Sequence, residues 1–374
     1  MATASENLQL LIGGKVHDRW ESYEIDSDLL VPADAWRVTL GMPGGDWPEA
    51  VVIGAPVQAK LGNDVVLNGR IDDIDDTVTK EEHSLQLNGR DGAAVLLDCS
   101  APVFVAKQAG LDEIIAKIVR PLGVSKIRID AAKTTTREKI NVEPGDSAWN
   151  VLTNAAEANG LWPWFDPDGT LVVGGPDYSK PPVATLIMRR NGRGNNVKRI
   201  MRSQSMRDRY SEVTVLGQTH GTAMATGKNN LRGAAKDDGM SWYRPKIVVD
   251  HEADNNGVCQ SRARKLLADG RLRGLSFKAT VKGHRIVAPG QPTDGLLWQP
   301  GQRVVLVSEP HGVSGIYFLM ARKFTLSRSA GTETILTLHE DGVWTLDAHP
   351  HKNKHRRGKN SLPGKVVDIP GAPS

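Results

Sequence analysis

Asp72, Asp73, Asp75 and Asp76 crowd one short stretch, a spacing that could hold a divalent cation or pair carboxylates for acid–base chemistry. No glycine turn interrupts the run and no glutamate stands at the twelfth position, so a helix–loop–helix calcium loop is excluded. A solvated strand edge, charged so that it does not pair with stray strands, is the reading we take. Asp166 and Asp168 flank a proline and precede Gly169, which is turn chemistry rather than a carboxylate pair for glycoside hydrolysis. His349, His351 and His355 form a short tract near the C-terminus that would bind metal only adventitiously. Gly192-Arg193-Gly194 lacks the following helix that a phosphate cradle needs. No nucleophile elbow, HExxH, Walker A or dinucleotide fingerprint occurs in its required context. The sequence therefore predicts no catalytic, metal or cofactor-binding residues and no enzyme.

What remains is charge and aromatic surface. Arg189, Arg190, Arg193, Lys198, Arg199, Arg202, Arg207 and Arg209 face a single acid, Asp208, over 189–209. Nucleic-acid binding would want interleaved aromatics, and only Tyr210 follows, so a charged subunit interface or plain solvated surface fits as well. Trp149, Trp162 and Trp164 could bind sugar or form the core of a small module, and the core reading is the simpler one. Cys99 and Cys259 are far apart and outside any CxxC, which excludes a disulfide framework and a cysteine-based zinc site.

The formal net charge of +4 conceals an asymmetry: residues 1–98 carry −11, 99–175 carry −1, 176–348 carry +11 and 349–374 carry +5. Halves of opposite sign suit self-complementary association. With 374 residues, 39% apolar and 24% charged, the chain has ordinary globular composition and length for two to four domains. No apolar run reaches the length of a membrane span, and the N-terminus does not read as a signal peptide.

The elements that must position these groups read as mainly β with α+β insertions. Alternation marks strands at Trp36–Leu40, Val57–Leu61, Val65–Leu67, around Ile71 and Ile74, and at Ser84–Leu87. Gly62-Asn63-Asp64, Asn68-Gly69 and Asn88-Gly89 read as turns between them, as does Met42–Gly45. Helical stripes follow at Leu111, Ile114, Ile115, Ile118 and Val119, and at Ala148, Val151, Leu152, Ala155 and Ala156. A hairpin over 162–173 turns at Asp168-Gly169. Residues 219–241 read as a loop. A third helix is expected from about Asn256 to Ala268, capped by Asp254 and stopped by Gly270, with Cys259 on its apolar stripe. Strands close the fold at Arg303–Val307, Ile316–Met320, Lys323–Leu326 and Thr334–Leu338. The expected division is an acidic β-barrel module at 1–98 and an α+β insert at 99–175. A second, basic β-barrel module spans 176–220 and 286–348, interrupted by an α+β excursion at 221–285, and a basic disordered tail occupies 349–374.

This order resembles the baseplate hub protein of Mu-like contractile-tailed bacteriophages, a family related to the hub parts of other phage tails and of type VI secretion spikes. Four stretches carry the resemblance: LQLLIGGKVHDRWESYEIDSDLLVPADAWRVTLG, VEPGDSAWNVLTNAAEANGLWPWFDPDGTLVVGGP, VKRIMRSQSMRDRYSEVTVLGQ and WQPGQRVVLVSEPHGVSGIYFLMARKFTLSRSAGTETILTLHE. Together they span most of residues 8–345. The resemblance implies two similar small antiparallel barrels per chain and a homotrimer that adapts a sixfold tail tube to a threefold central spike. The implied partners are the tube protein, the spike protein, other baseplate proteins and the tape-measure protein, in a virion tail assembled in the host cytoplasm. The sequence adds that Arg189, Arg190, Arg199 and Arg202 could face Asp72, Asp73, Asp75 and Asp76 of the same or the next subunit. A peptidoglycan-binding or peptidoglycan-processing tail protein is the alternative, and weak DNA contact through the tail is a further expectation.

Overall fold

The computed structural model describes residues 7–41, 49–81, 83–131, 137–142, 144–157, 159–218, 230–250, 253 and 255–346. The turn expected at Met42–Gly45, the cap at Asp254, the first part of the expected 219–241 loop (219–229) and the tail with His349, His351 and His355 lie outside them.

The first unit is all β: β1 (Leu8–Ile12), β2 (Lys15–His17), β3 (Ser22–Asp28), β4 (Ala35–Gly41), β5 (Pro56–Leu61), β6 (Asp64–Val78) and β7 (His83–Asp91). Strict alternation puts Tyr23 and Ile25 of β3, and Trp36 and Val38 of β4, on the buried face. Two expected turns are strand interior: Asn68-Gly69 lies within β6 and Asn88-Gly89 within β7. Neither glycine has a positive φ. They are glycines because the strands approach closely. An added Cβ at Gly69 would lie 2.1 Å from the Arg90 carbonyl oxygen, and one at Gly89 1.9 Å from that of Arg70.

The insert follows with α1 (Ala94–Asp98), β8 (Val105–Ala109), α2 (Leu111–Val119), β9 (Ile127–Ile129), β10 (Arg137–Asn141), α3 (Ala148–Glu157), β11 (Trp162–Phe165) and β12 (Leu171–Gly174). Helices α2 and α3 bury the stripes read from the sequence. The β11–β12 hairpin turns at Gly169, where the Asp168 carboxylate accepts from the Thr170 amide at 3.0 Å. One core of residues between Ala93 and Val173 holds the unit together, with Trp149 inside it.

Next come β13 (Ala184–Met188), β14 (Arg199–Gln204), β15 (Glu212–Gly217), β16 (Leu231–Lys236) and β17 (Pro245–Asp250). They lead to α4 (Asn256–Gly274), β18 (Leu275–Lys282), β19 (Arg303–Ser308), β20 (Val313–Ser327) and β21 (Gly331–Glu340). β15, β16 and β17 form their own sheet, in the order β16-β15-β17, under α4. So the stretch expected to be loop contains β16. Helix α4 runs past Gly270, whose missing side chain lets the helix lie on the Asp208 carbonyl; an added Cβ there would come within 2.6 Å. Cys259 is fully buried in this unit's core. The helix is capped by Asn255, whose side chain accepts from the Val258 amide at 2.9 Å. Asn255→Ala is therefore expected to destabilise this unit by about 1 kcal/mol, read as faster amide exchange in the first turn of α4. Asn255→Asp keeps the acceptor and should exchange at the wild-type rate.

The strands expected at Ile316–Met320 and Lys323–Leu326 are one strand, β20, with a bulge between Leu319 and Ala321. That strand splices the molecule. It pairs with β19 and β21 at its start and with β21 and β3 after the bulge. The result is a single 13-stranded sheet in the order β14-β18-β21-β20-β3-β4-β7-β6-β5-β1-β2, with β13 and β19 branching from β20. The two expected β modules are thus halves of one open sheet over one shared core, and neither closes into a barrel.

Candidate assembly interface

Among the described residues, the distal half of β6 is a free strand edge. Its pairing with β5 ends at Arg70, Ile71 still bonds to the Gly54 amide and the Ala55 carbonyl, and among the described residues β6 pairs only with β7 from Asp72 onward. This half carries Asp72, Asp73, Asp75 and Asp76, and ends at Val78, which is 70% exposed. Three of the four aspartates are tied to their own hairpin or its end. Asp72 accepts from Arg90 Nε at 2.6 Å, and the same guanidinium reaches Asp98 at 2.7 Å, which holds the Asp98 carboxyl below its ordinary pKa. Asp75 accepts from Gln86 and Asn88, and Asp76 lies 2.6 Å from His83 Nε2. Asp73 stands opposite Asn88 in the register.

A second free edge lies at the other end of the ladder. Among the described residues β14 pairs only with β18, and all of its residues but Ile200 are exposed. Arg199 and Arg202 project from it, and the preceding turn carries Arg189, Arg190 and Arg193 around Gly192 and Gly194, both at positive φ. Arg202 donates to the His311 carbonyl at 3.2 Å and Arg189 to the Arg193 carbonyl at 3.0 Å, while the Arg190 backbone amide donates to Glu309. Lys198 pairs with Glu333. Among the described residues, no carboxylate forms an ion pair with the side chain of Arg189, Arg190, Arg193, Arg199 or Arg202.

Within one chain the two sets do not meet: six strands separate β14 from β6. Register tracing through the ladder nonetheless puts Arg199, Lys323, Asp26, Arg37 and Asp73 on one face of the sheet. The shared core covers the other face.

The groups that lock the two halves together escaped the sequence reading. Arg322 of β20 is fully buried and donates to the carbonyls of Ile25 and Val66, both at 3.1 Å, with its guanidinium 3.9 Å above the Phe324 ring. Burial pulls its pKa down to about 10, so it stays charged at neutral pH. His284, also buried, lies 2.8 Å from Tyr23 Oη and 3.1 Å from Thr334 Oγ1. Thr334 donates to the Gly283 carbonyl, so its oxygen accepts from His284 Nδ1, and Tyr23 donates to Nε2. Burial and the nearby arginines push His284 down to about 3, which keeps it neutral. Arg285 reaches Asp64 at 2.8 Å and the Leu61 carbonyl at 3.0 Å. A lone histidine or arginine in a polar stretch gives no signal of such burial.

The other candidates have structural roles. Trp162 donates to the Leu29 carbonyl at 2.6 Å, and Trp164 to Asp166 at 3.2 Å. Among the described residues, neither Cys99 nor Cys259 forms a disulfide. Among the described residues, no cluster of three or more His, Cys, Asp or Glu has the geometry to hold a metal, and no helix is long and apolar enough to cross a membrane.

Comparison with known proteins agrees with this architecture. Residues 7–91 match the model "Mu phage baseplate assembly protein GpP-like, N-terminal", and 93–175 match "Baseplate hub protein gp44-like, second domain". Residues 209–267 match "Tail protein NMB1110-like, third domain", and 269–343 match "Tail protein, C-terminal domain". The crystal structure of the tail protein from Neisseria meningitidis MC58 is 40% identical, with a TM-score of 0.80, over 91% of this chain and 98% of that one. The chain belongs to the baseplate hub family of Mu-like phage tails. The baseplate hub protein gp44 of Escherichia phage Mu is 21% identical over 96% of this chain and 94% of its own length. The 43 kDa tail protein of prophage MuSo2 from Shewanella oneidensis shares the fold with a TM-score of 0.79, at 21% identity, over 90% of this chain and 99% of that one. The similarity supports a structural role in the phage tail.

Proposed function

We propose that the chain forms a homotrimeric hub ring that joins a sixfold tail tube to a threefold central spike, and through which the genome leaves the tail. The observation that carries the proposal is the pair of free edges of opposite charge at the two ends of one antiparallel run. From β14 to β6 the sheet has eight strands, and every neighbouring pair is antiparallel. An even run leaves its two terminal strands pointing in opposite directions. Copies arranged head to tail about an axis therefore bring β6 of one against β14 of the next already antiparallel, and such a contact closes into a ring.

In that alignment Asp72 and Asp73 approach the Arg202 end of β14. Asp75 and Asp76 approach Arg199 and the turn bearing Arg189, Arg190 and Arg193. Main-chain hydrogen bonds would supply affinity, and opposite charge would select the register, because two acidic or two basic edges repel. Tube protein, spike protein and other baseplate proteins would then dock on the ring's two ends, with assembly in the host cytoplasm. The two sheet halves of each chain would then stand as the near-equivalent units that let a threefold object meet a sixfold one.

The test is solution mass by light scattering at about 0.15 M and about 1 M salt. Wild type is expected at three times 40.6 kDa in the lower salt. Arg199→Glu with Arg202→Glu should weaken the trimer by about tenfold or more, and adding Asp73→Lys with Asp75→Lys should restore it. A wild-type chain that stays monomeric at both salts and at tens of micromolar would sink the self-closing ring. An undiminished trimer in the double arginine variant would sink the assigned edges.

A further inference from the structure

A cavity of about 50 Å³ lies where the first β unit, β20 and the insert meet. The first unit contributes Asp34 and Asp91, β20 contributes Arg322, and the insert closes the space with Trp149, Trp164 and Phe165. It has room for a few waters. The two aspartates share one backbone link, the Asp91 amide donating to the Asp34 carbonyl at 2.9 Å. Each carboxylate already accepts one amide: Asp34 from Asp28 and Asp91 from Ala93, both at 2.9 Å. Asp34 follows Ala33, which sits at φ +68° without being glycine, so the loop is held in place against its own preference. From the insert side, Asp91 is followed at once by Gly92, where an added Cβ would lie 2.9 Å from the Phe165 ring.

The charges around this pair do not balance. Arg322 is the cation lining the cavity, and both of its terminal nitrogens are spent on main-chain carbonyls. Arg90, beside Asp91, is spent on Asp72 and Asp98. The other titratable groups facing the site are acidic or silent. Asp28 and Asp166 also line the cavity, and Asp166 is paired with Arg128 at 2.9 Å. Asp26 lies toward Arg322, and His339 toward Asp28, its own pKa lowered by burial.

We propose that Asp34 and Asp91 form an acid-tightened joint between the insert and the sheet, a carboxyl pair that takes up a proton on mild acidification and then hydrogen-bonds across the cavity instead of repelling. Desolvation raises the Asp34 carboxyl to about 6, and desolvation together with the Asp34 charge raises Asp91 well above the ordinary aspartate value. The sign follows from linkage. A carboxyl whose folded pKa is raised holds its proton in the native state at pH values where the unfolded chain has lost it. Stability therefore rises as pH falls from above 6 toward 4, and is lowest at neutral pH and above. Rigid attachment of the insert would thus depend on pH, while the Arg322 and His284 lock between the sheet halves would not, since neither group titrates in that range.

The experiment is a melting series on the full chain between pH 7.5 and 5.5, paired with acrylamide quenching of tryptophan fluorescence, to which Trp149 and Trp164 contribute from the cavity wall. Wild type is expected to gain about 2–4 °C on acidification, with falling quencher access. Asp34→Asn keeps the acceptor for the Asp28 amide and removes the charge. It should melt at pH 7.5 as wild type does at 5.5, and show a shallower pH dependence; Asp91→Asn should behave likewise. Titrating histidines elsewhere contribute equally to wild type and variants, so the difference between their pH slopes is the readout. Parallel slopes, or a variant less stable than wild type at pH 7.5, would overturn the proposal.

Discussion

Arg322→Ala is expected to lower the unfolding free energy by about 3–5 kcal/mol, one of the two largest effects we anticipate for a single side chain. Three losses coincide at this site. The carbonyls of Ile25 and Val66 lose the donors of a buried guanidinium. A cavity opens over Phe324. Asp34 loses its neighbouring cation, so its proton affinity should rise further. Arg322→Lys should recover only part of the loss, because one ammonium cannot reproduce a planar fork spanning β3 and β6. Urea denaturation followed by far-UV circular dichroism measures the change. Combining Arg322→Ala with Asp34→Asn should be less damaging than the two effects added, since the pair interacts. If Arg322→Ala costs under about 1 kcal/mol, the two halves of the sheet are held by the β3–β20 ladder and the apolar core alone.

How much of this the sequence disclosed depends on whether a signal is local. The stripes of α2 and α3 and the Asp-Gly hairpin are local patterns, and the structure bears them out. Charge asymmetry is also a count, and it picked out the stretches that turn out to lie on two strand edges. That they are edges is a property of the ladder order, which no window of residues contains. Small residues misled in both directions. LRGAAK in β16 looks like a loop because Gly233 and its alanines are small, and they are small because α4 rests on them: an added Cβ at Gly233 would lie 2.1 Å from the Gln260 amide nitrogen. Ala321-Arg322-Lys323 looks like a break between two strands because a charged pair reads as solvent. Within β20 the first of that pair points into the core and the second pairs with Glu24 and Asp26 on the open face. Half-buried Asp34 and buried Asp91 and His284 are invisible for the same reason, since type alone assigns them to the surface.

Gly89 shows how such a residue connects the fold to the proposed assembly, and Gly89→Val is the second large effect we expect. The site admits no Cβ: the Arg70 carbonyl oxygen would lie 1.9 Å away, and the Trp36 ring 2.6 Å on another side. Neither neighbour can yield cheaply. Arg70 belongs to the backbone of β6, just before its bulge between Ile71 and Asp73, and Trp36 is buried in the shared core. The strand must move, at a cost of about 3 kcal/mol or more. The displacement falls where β6 leaves β5 and becomes the acidic free edge, so the directions of Asp73 and Asp75 change with it. Gly89→Val should therefore lower the urea midpoint and also weaken the trimer in whatever protein remains folded, a coupling that damage to the core alone would not produce. Gly315→Ala in β20 is the control. Its added Cβ would meet nothing nearer than 3.9 Å, and it should change stability by no more than about 0.5 kcal/mol and leave the mass in solution untouched. A Gly89→Val protein that is destabilised yet trimerises at the wild-type concentration would show that assembly does not read the geometry of this edge.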